Sequence, residues 1–293
     1  MKLRPPSTLI IGPAGTGKTT SLVTAIEAGL SLRLLATEPT APNRVIEEIR
    51  KRKLSMEKFD WCFVSPSVPS WAALREAATI INTMTLKDIA ELRSGIARPD
   101  GTQWLNFLIA IEHFKSERTG LDLGDATEWG SDVMFAIDGL TGISTMSRNL
   151  TIGLKPNPSP GEWGVMQSTI LTLIRKLTAD SKCFLTLIAH VEREMNEITG
   201  MSNITVSPLG AKLAPKLPPE FTTVVLAKRD AAKFSWSTAA SGVDTKQGDL
   251  AFQDDLLPSF APIIEGFRAR LALANAPTPT AAPTASVQPA ATA

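Results

Sequence analysis

Several things are scarce in this chain of 293 residues, and each scarcity removes a class of protein. Cysteine occurs only twice, as Cys62 and Cys183, each inside an apolar run. Two free thiols in apolar surroundings fit a reducing compartment, and a fold of this length can bury a large core without disulfides or a structural metal. No apolar stretch reaches the 18 or so residues of a membrane-spanning helix, and the N-terminal residues lack the apolar centre of a secretory signal. The expectation is a cytoplasmic protein with no membrane partner. Positive charge is not in excess either, since 30 Lys and Arg stand against 29 Asp and Glu. That balance excludes a globally basic nucleic-acid binder but leaves room for a local basic groove. Tyrosine is absent altogether, and no physical reason for this is evident in the chain.

What remains is 43% hydrophobic, enough for one large core. The exception is the C-terminal segment, residues 275–293, which is almost entirely Ala, Pro, Thr and Ser without a charge. Apart from its prolines, Val287 is its one apolar side chain larger than Ala. Such a segment cannot bury enough surface to offset its ordering entropy, so it is expected to be a disordered tail.

Residues 12–19 read Gly12-Pro13-Ala14-Gly15-Thr16-Gly17-Lys18-Thr19, a complete GxxxxGK[ST] phosphate-binding loop. The apolar run Thr8-Leu9-Ile10-Ile11 precedes it and reads as a buried strand; residues 20–28 follow and read as a helix stopped by Gly29. Strand, glycine turn and helix are the setting in which backbone N–H groups curl around phosphates at a positive helix end. Lys18 is then expected on the β- and γ-phosphates, and the Thr19 hydroxyl on Mg²⁺, with Thr20 closing the nucleotide-binding segment. The plainer alternative is a chance match in a glycine-containing turn.

Upstream of the tail, residues 1–274 alternate strand and helix patterns, which predicts an α/β fold with a mostly parallel, twisted sheet flanked by helices. Strands are expected at 8–11, 32–36, 61–64, 133–137, 184–189 and 222–227. A helix is expected over 44–52, and Met166, Ile170, Leu173 and Leu177 mark another by their spacing. Residues 66–130 read as a helical insertion, with N-caps at Ser70 and Thr85 and a helix over 103–115. Residues 233–238 and 250–252 suggest a closing C-terminal β-hairpin.

Three polar residues end apolar strands. Asp138 ends the fourth, where a carboxylate beside a phosphate loop can accept from Mg²⁺-bound water; the plainer role is a turn cap with Gly139. Because Gly139 offers no carboxylate, the base must come from elsewhere, and Glu38 at the end of the second strand is the candidate to orient and deprotonate water. Its alternative is a solvated Glu before Pro39. His190 ends the fifth strand before a long polar segment, which suits a γ-phosphate sensor or, more plainly, a hydrogen-bonded turn histidine. His113, in the middle of a helix, is assigned nothing.

A phosphate loop, Glu38, Asp138-Gly139-Leu140-Thr141 and a polar residue ending the fifth strand resemble the RecA-type recombination ATPases. Residues 133–229 resemble more closely the phage-encoded RecA-like proteins of the single-strand-annealing group. Their Ala-His strand end and Pro- and Gly-containing loop are matched by Ala189-His190 and Ser207-Pro208-Leu209-Gly210-Ala211-Lys212. Their late Lys-containing segment is matched by Val243-Asp244-Thr245-Lys246-Gln247-Gly248, although no Arg follows Lys246 as it commonly does in relatives. The resemblance covers roughly residues 7–255 and implies a RecA-like core, ATP and Mg²⁺ as ligands, and the host cytoplasm if the chain is phage-encoded. It also implies a homo-oligomeric ring or filament on single-stranded DNA, with ATP between subunits and a cation from the neighbour on the γ-phosphate. Lys246 is the first candidate for that cation, ahead of Lys228 and Arg229. A single-strand-binding protein is a further expected partner.

DNA is expected on two loops. The first, residues 141–160, carries Arg148 and Lys155 and no acidic residue; the second, residues 191–219, carries Arg193, Lys212 and Lys216 among three glutamates. Such contacts give sequence-independent, salt-sensitive binding. Neither loop has an aromatic residue for base stacking. The competing readings are a hexameric helicase or clock-type motor of the same fold, and a nucleotide-gated switch that does not hydrolyse.

Overall fold

A computed structural model describes residues 3–66, 70–90, 101–153, 158–195, 202–207 and 213–276. In chain order the elements are β1 (Ser7–Ile11), α1 (Lys18–Ser21), α2 (Val23–Glu27), β2 (Ser31–Ala36), α3 (Ala41–Lys51), β3 (Phe59–Phe63), α4 (Trp71–Thr83), α5 (Leu86–Ala90) and α6 (Thr102–Glu112). There follow β4 (Val133–Asp138), α7 (Leu140–Thr151), α8 (Pro160–Asp180), β5 (Phe184–Met195), β6 (Ser202–Ser207), β7 (Thr223–Asp230), β8 (Lys233–Ser237) and α9 (Ala261–Asn275).

The sheet runs β3-β2-β4-β5-β1-β7-β8. Every neighbouring pair along it is parallel except β7 with β8. Strands covered on both faces need apolar residues at every position, which is why the predicted strands were continuous apolar runs. Alternate residues of one strand serve opposite faces. Leu9, Ile11, Val133, Phe135 and Ile137 pack into the core that also holds Trp104 and Phe107 of α6, Ile143 of α7 and Ile170 of α8. Ile10, Met134 and Ala136 belong to the other core, with Leu22, Val23, Val45 of α3 and Ile263 of α9. The chain is thus an α/β protein with a mostly parallel sheet between two helical layers.

Several expectations shift. Within the segment read as a helical insertion over 66–130, the described helices differ in burial. The helix α6 contributes Trp104 and Phe107 to the core, and the Glu117 amide donates to the Trp61 carbonyl at 2.8 Å, tying the segment to β3. By contrast α4 buries none of its residues. The C-terminal hairpin is made by β7 and β8, with Asp230 opposite Lys233; residues 250–252 form no strand and lie beside Thr238, whose hydroxyl donates to the Ala251 carbonyl at 2.6 Å. The polar segment after His190 begins as strand: β5 continues to Met195 and pairs antiparallel with β6, placing His190 opposite Ser207. Most of residues 141–160, expected as a loop, is the helix α7. The C-terminal helix α9 reaches Asn275, and the expected tail beyond residue 276 lies outside the described residues.

Both cysteines are free, and burial raises their thiols, Cys62 to about 11 and Cys183 to about 12, so neither is a thiolate near neutral pH. Among the described residues no helix is long and apolar enough to cross a membrane.

One contact fixes the upper ends of β2 and β4. The buried Thr37 hydroxyl donates to the Gly139 carbonyl at 2.8 Å, and the Thr37 amide donates to the Asp138 carbonyl at 2.8 Å. A Cβ at Gly139 would stand 2.5 Å from Thr37 Oγ1, and one at Gly142 only 2.3 Å from it. Gly142→Ala is therefore expected to destabilise the fold by about 1–3 kcal/mol through overpacking against Thr37. Gly164→Ala in α8, where an added Cβ meets nothing within 4 Å, is expected to stabilise by up to about 1 kcal/mol. Thermal unfolding of the two variants beside the parent checks the pair.

Candidate active site

The sheet order sets the site before any side chain is considered. Going outward from β1, the strands β5, β4 and β2 lie side by side, so their carboxyl ends bring the phosphate loop, His190, Asp138 and Glu38 to one edge. Register agrees: Ile11 is level with Ala189, Ile188 with Asp138, and Asp138 with Ala36. A cavity of about 240 Å³ opens there, lined by residues 14–20 with Glu38, Arg44, Asp138 and His190.

The loop after β1 turns through Gly15 and Gly17, at φ 76° and 78°, a left-handed conformation that glycine adopts without strain. At Gly12 the limit is space, since a Cβ there would stand 2.6 Å from the Ala227 carbonyl oxygen. Lys18 is 5% exposed, and its Nζ donates to the carbonyls of Gly12 at 2.8 Å and Pro13 at 2.7 Å. Gly12 and Pro13 thus form the base of the loop, while Ala14, Gly15, Thr16, Gly17, Thr19 and Thr20 face the cavity. Thr16 Oγ1 donates to the Pro13 carbonyl at 2.8 Å and Thr20 Oγ1 to the Gly17 carbonyl at 2.9 Å, stiffening the turn.

Burial lowers the Lys18 ammonium to about 8, against the opposing pull of Asp138 and Glu38, with Arg44 adding to the decrease. Burial raises the Asp138 carboxyl to about 6, opposed by the Thr19 hydroxyl, which donates to Asp138 Oδ2 at 2.5 Å. Glu38 adds to that rise. Groups pushed toward neutrality inside a cleft mark a site waiting for compensating charge. Glycines with inward curvature, a buried lysine and a Thr–Asp pair fit a nucleoside triphosphate with Mg²⁺. Among the described residues no group of three or more His, Cys, Asp and Glu is arranged to hold a metal alone. A Mg²⁺ would therefore use the Thr19 hydroxyl and draw its other ligands from phosphate oxygens and water.

Glu38 and His190 meet, with Nε2 3.4 Å from Oε1 and both side chains about one-third to two-fifths exposed. The sequence predicted each residue separately but not the pair. It also missed Arg44, whose place in α3 is two turns from Glu38 along the chain; only its charge near the strand end hinted at a role.

The remaining candidates lie elsewhere. Lys246 does not line the cavity; its Nζ donates to the carbonyls of Pro219 at 2.9 Å and Phe221 at 3.0 Å. Lys228 pairs with Asp254 at 2.6 Å. Arg229 Nε donates to the Ala231 carbonyl at 2.9 Å, and its guanidinium stands 5.5 Å from the centre of the Phe234 ring, which packs over Gly17. Arg148 is exposed on α7, not on a loop, and Lys216 is exposed in the short turn Ala214–Lys216. The backbone of Arg193 lies in β5 opposite Ile204. Lys155 and Lys212 lie outside the described residues.

A scan of protein-family models finds none that matches this sequence, and a search of curated proteins finds no match either.

The raised Asp138 carboxyl gives a signed prediction. The native state holds a proton on Asp138 up to about pH 6 that the unfolded chain releases near 3.8, so Asp138 lowers stability as pH rises between those values and leaves it lowered above them. Asp138→Asn without Mg²⁺ is expected to raise the unfolding temperature by a few degrees at pH 7.5 and to make no such difference at pH 3.5. Melting curves at the two pH values check it.

Proposed function

We propose that the protein is a RecA-like ATPase that binds ATP with Mg²⁺, hydrolyses it and acts on single-stranded DNA in recombination, annealing or repair. The observation that carries the proposal is the meeting of Lys18, Thr19, Asp138, Glu38 and His190 around one cavity at the ends of four adjacent strands. Phosphoryl transfer needs positioning and charge neutralisation more than covalent chemistry, and these residues supply both.

Lys18 offers an ammonium to the β- and γ-phosphate oxygens in exchange for the loop carbonyls it now contacts, and the loop N–H groups add fixed dipoles. Thr19 and the ionised Asp138 would hold Mg²⁺, which when bound would supply charge neutralisation on the phosphates. Glu38 takes the proton of the attacking water, because Thr37 fills the space that a carboxylate at position 139 would need. His190 holds Glu38 in place and ties its orientation to the β5–β6 arm, since His190 is itself a residue of that ladder. Arg44 adds positive charge at the cavity wall. Oligomerisation on DNA, with a cation from a neighbouring subunit at the γ-phosphate, belongs to the same proposal.

Two variants separate binding from chemistry. Lys18→Ala is expected to abolish ATP binding measured by a fluorescent ATP analogue. Glu38→Gln is expected to keep that binding and lose about 10²- to 10⁴-fold in hydrolysis rate, the usual worth of a positioned general base. Turnover at the parent rate in Glu38→Gln would remove Glu38 from the mechanism, and tight binding by Lys18→Ala would remove the phosphate loop.

A further inference from the structure

Resting on the single-stranded DNA reading above, we infer that the groove between α7 and α8 receives one unpaired base, stacked on Trp163. The groove has a volume of about 340 Å³, at the small end of ligand pockets. Trp163 stands on the first turn of α8 and remains 40% exposed, while Met166 and Ile170, one and two turns further along, are buried and form the floor. Leu213, from the segment that follows β6, closes one side. The two stretches expected to grip DNA therefore meet here, and the stacking residue absent from both loops is supplied by a helix.

Charge and polarity favour a nucleotide over an apolar peptide. Arg148 lines the same groove, and no carboxylate lines it among the described residues. Glu162, next to Trp163 in sequence, is folded back as the N-cap partner of Ser159, accepting from its amide at 2.6 Å. Ser144 and Gln167 add hydrogen-bonding groups at the wall. A partly exposed indole in a groove that a guanidinium also lines suits stacking of any base with positive charge for the strand, which is how sequence-tolerant single-strand binding works. The groove is also held in shape: Ser147 Oγ donates to the Met166 carbonyl at 3.2 Å, and α7 begins two residues after Asp138.

The test compares a labelled oligo-dT with an abasic oligonucleotide of the same length, by fluorescence anisotropy over a range of salt. The full chain is expected to bind oligo-dT about tenfold more tightly than the abasic strand, as one stacked base contributes. Trp163→Ala should lose most of that preference with an unchanged salt slope, because no phosphate contact is removed. Trp163→Phe should keep most of it. Equal binding of the two strands by the parent overturns the inference while leaving DNA binding intact. So does a full preference retained by Trp163→Ala, or a loss of oligomers on light scattering in that variant, which would make the groove a contact between copies. No binding of either strand at low salt overturns the DNA reading and this inference together.

Discussion

A lysine and an aspartate taken out of water at one edge of a parallel sheet are the constraint on which the candidate site depends. Neither is satisfied by a direct partner of opposite charge. Lys18 leans on the carbonyls of its own loop and Asp138 on the Thr19 hydroxyl. Burial pushes each toward its neutral form. A fold keeps such an arrangement at a cost in stability, and under the proposed function the cost would be recovered when a ligand brings phosphates to the ammonium and a cation to the carboxylate. The strands that carry them, β1 and β4, are buried along their length, which holds the two groups at fixed separation.

The second constraint is steric. Thr37 is locked between β2 and β4 by its hydrogen bonds to Asp138 and Gly139, and its hydroxyl fills the space that any side chain at 139 or 142 would need. The end of β4 therefore carries one carboxylate, Asp138, and has no room for a second at position 139. Glu38, the next residue after Thr37, takes that place from β2, and His190 reaches it from β5. In the proposed mechanism, one threonine thus leaves β2 rather than β4 to supply the base. His190 also opens the β5–β6 arm, so one side chain stands between that ladder and Glu38.

The parts of this arrangement legible in the sequence were those with short-range signatures. The loop motif, the apolar strand runs and the polar residues at their ends all reflect rules that act within a few residues. The Glu38–His190 contact was not legible, because it depends on β4 and β5 standing between β2 and β1, an order that no local pattern encodes. Arg44 was missed for another reason: it is close to Glu38 along the chain, but no motif marks a helix cation as lining the loop. The loop assigned to 141–160 became α7 because Ile143, Met146 and Leu140 face the core at helical spacing, a pattern masked by the glycines and threonines between them. The hairpin was placed on the wrong partner because β7 continues past Ala227 into Lys228, Arg229 and Asp230, polar residues that look like a strand end but lie on an edge ladder with β8.

The most direct test of the central claim is steady-state ATP hydrolysis by the purified chain with Mg²⁺ at low salt, with and without single-stranded DNA. The account predicts turnover that rises when DNA is added, as the proposed action on single-stranded DNA requires. ATP bound tightly with no turnover in either condition would contradict it, and would mean that the Glu38–His190 pair holds the nucleotide without cleaving it.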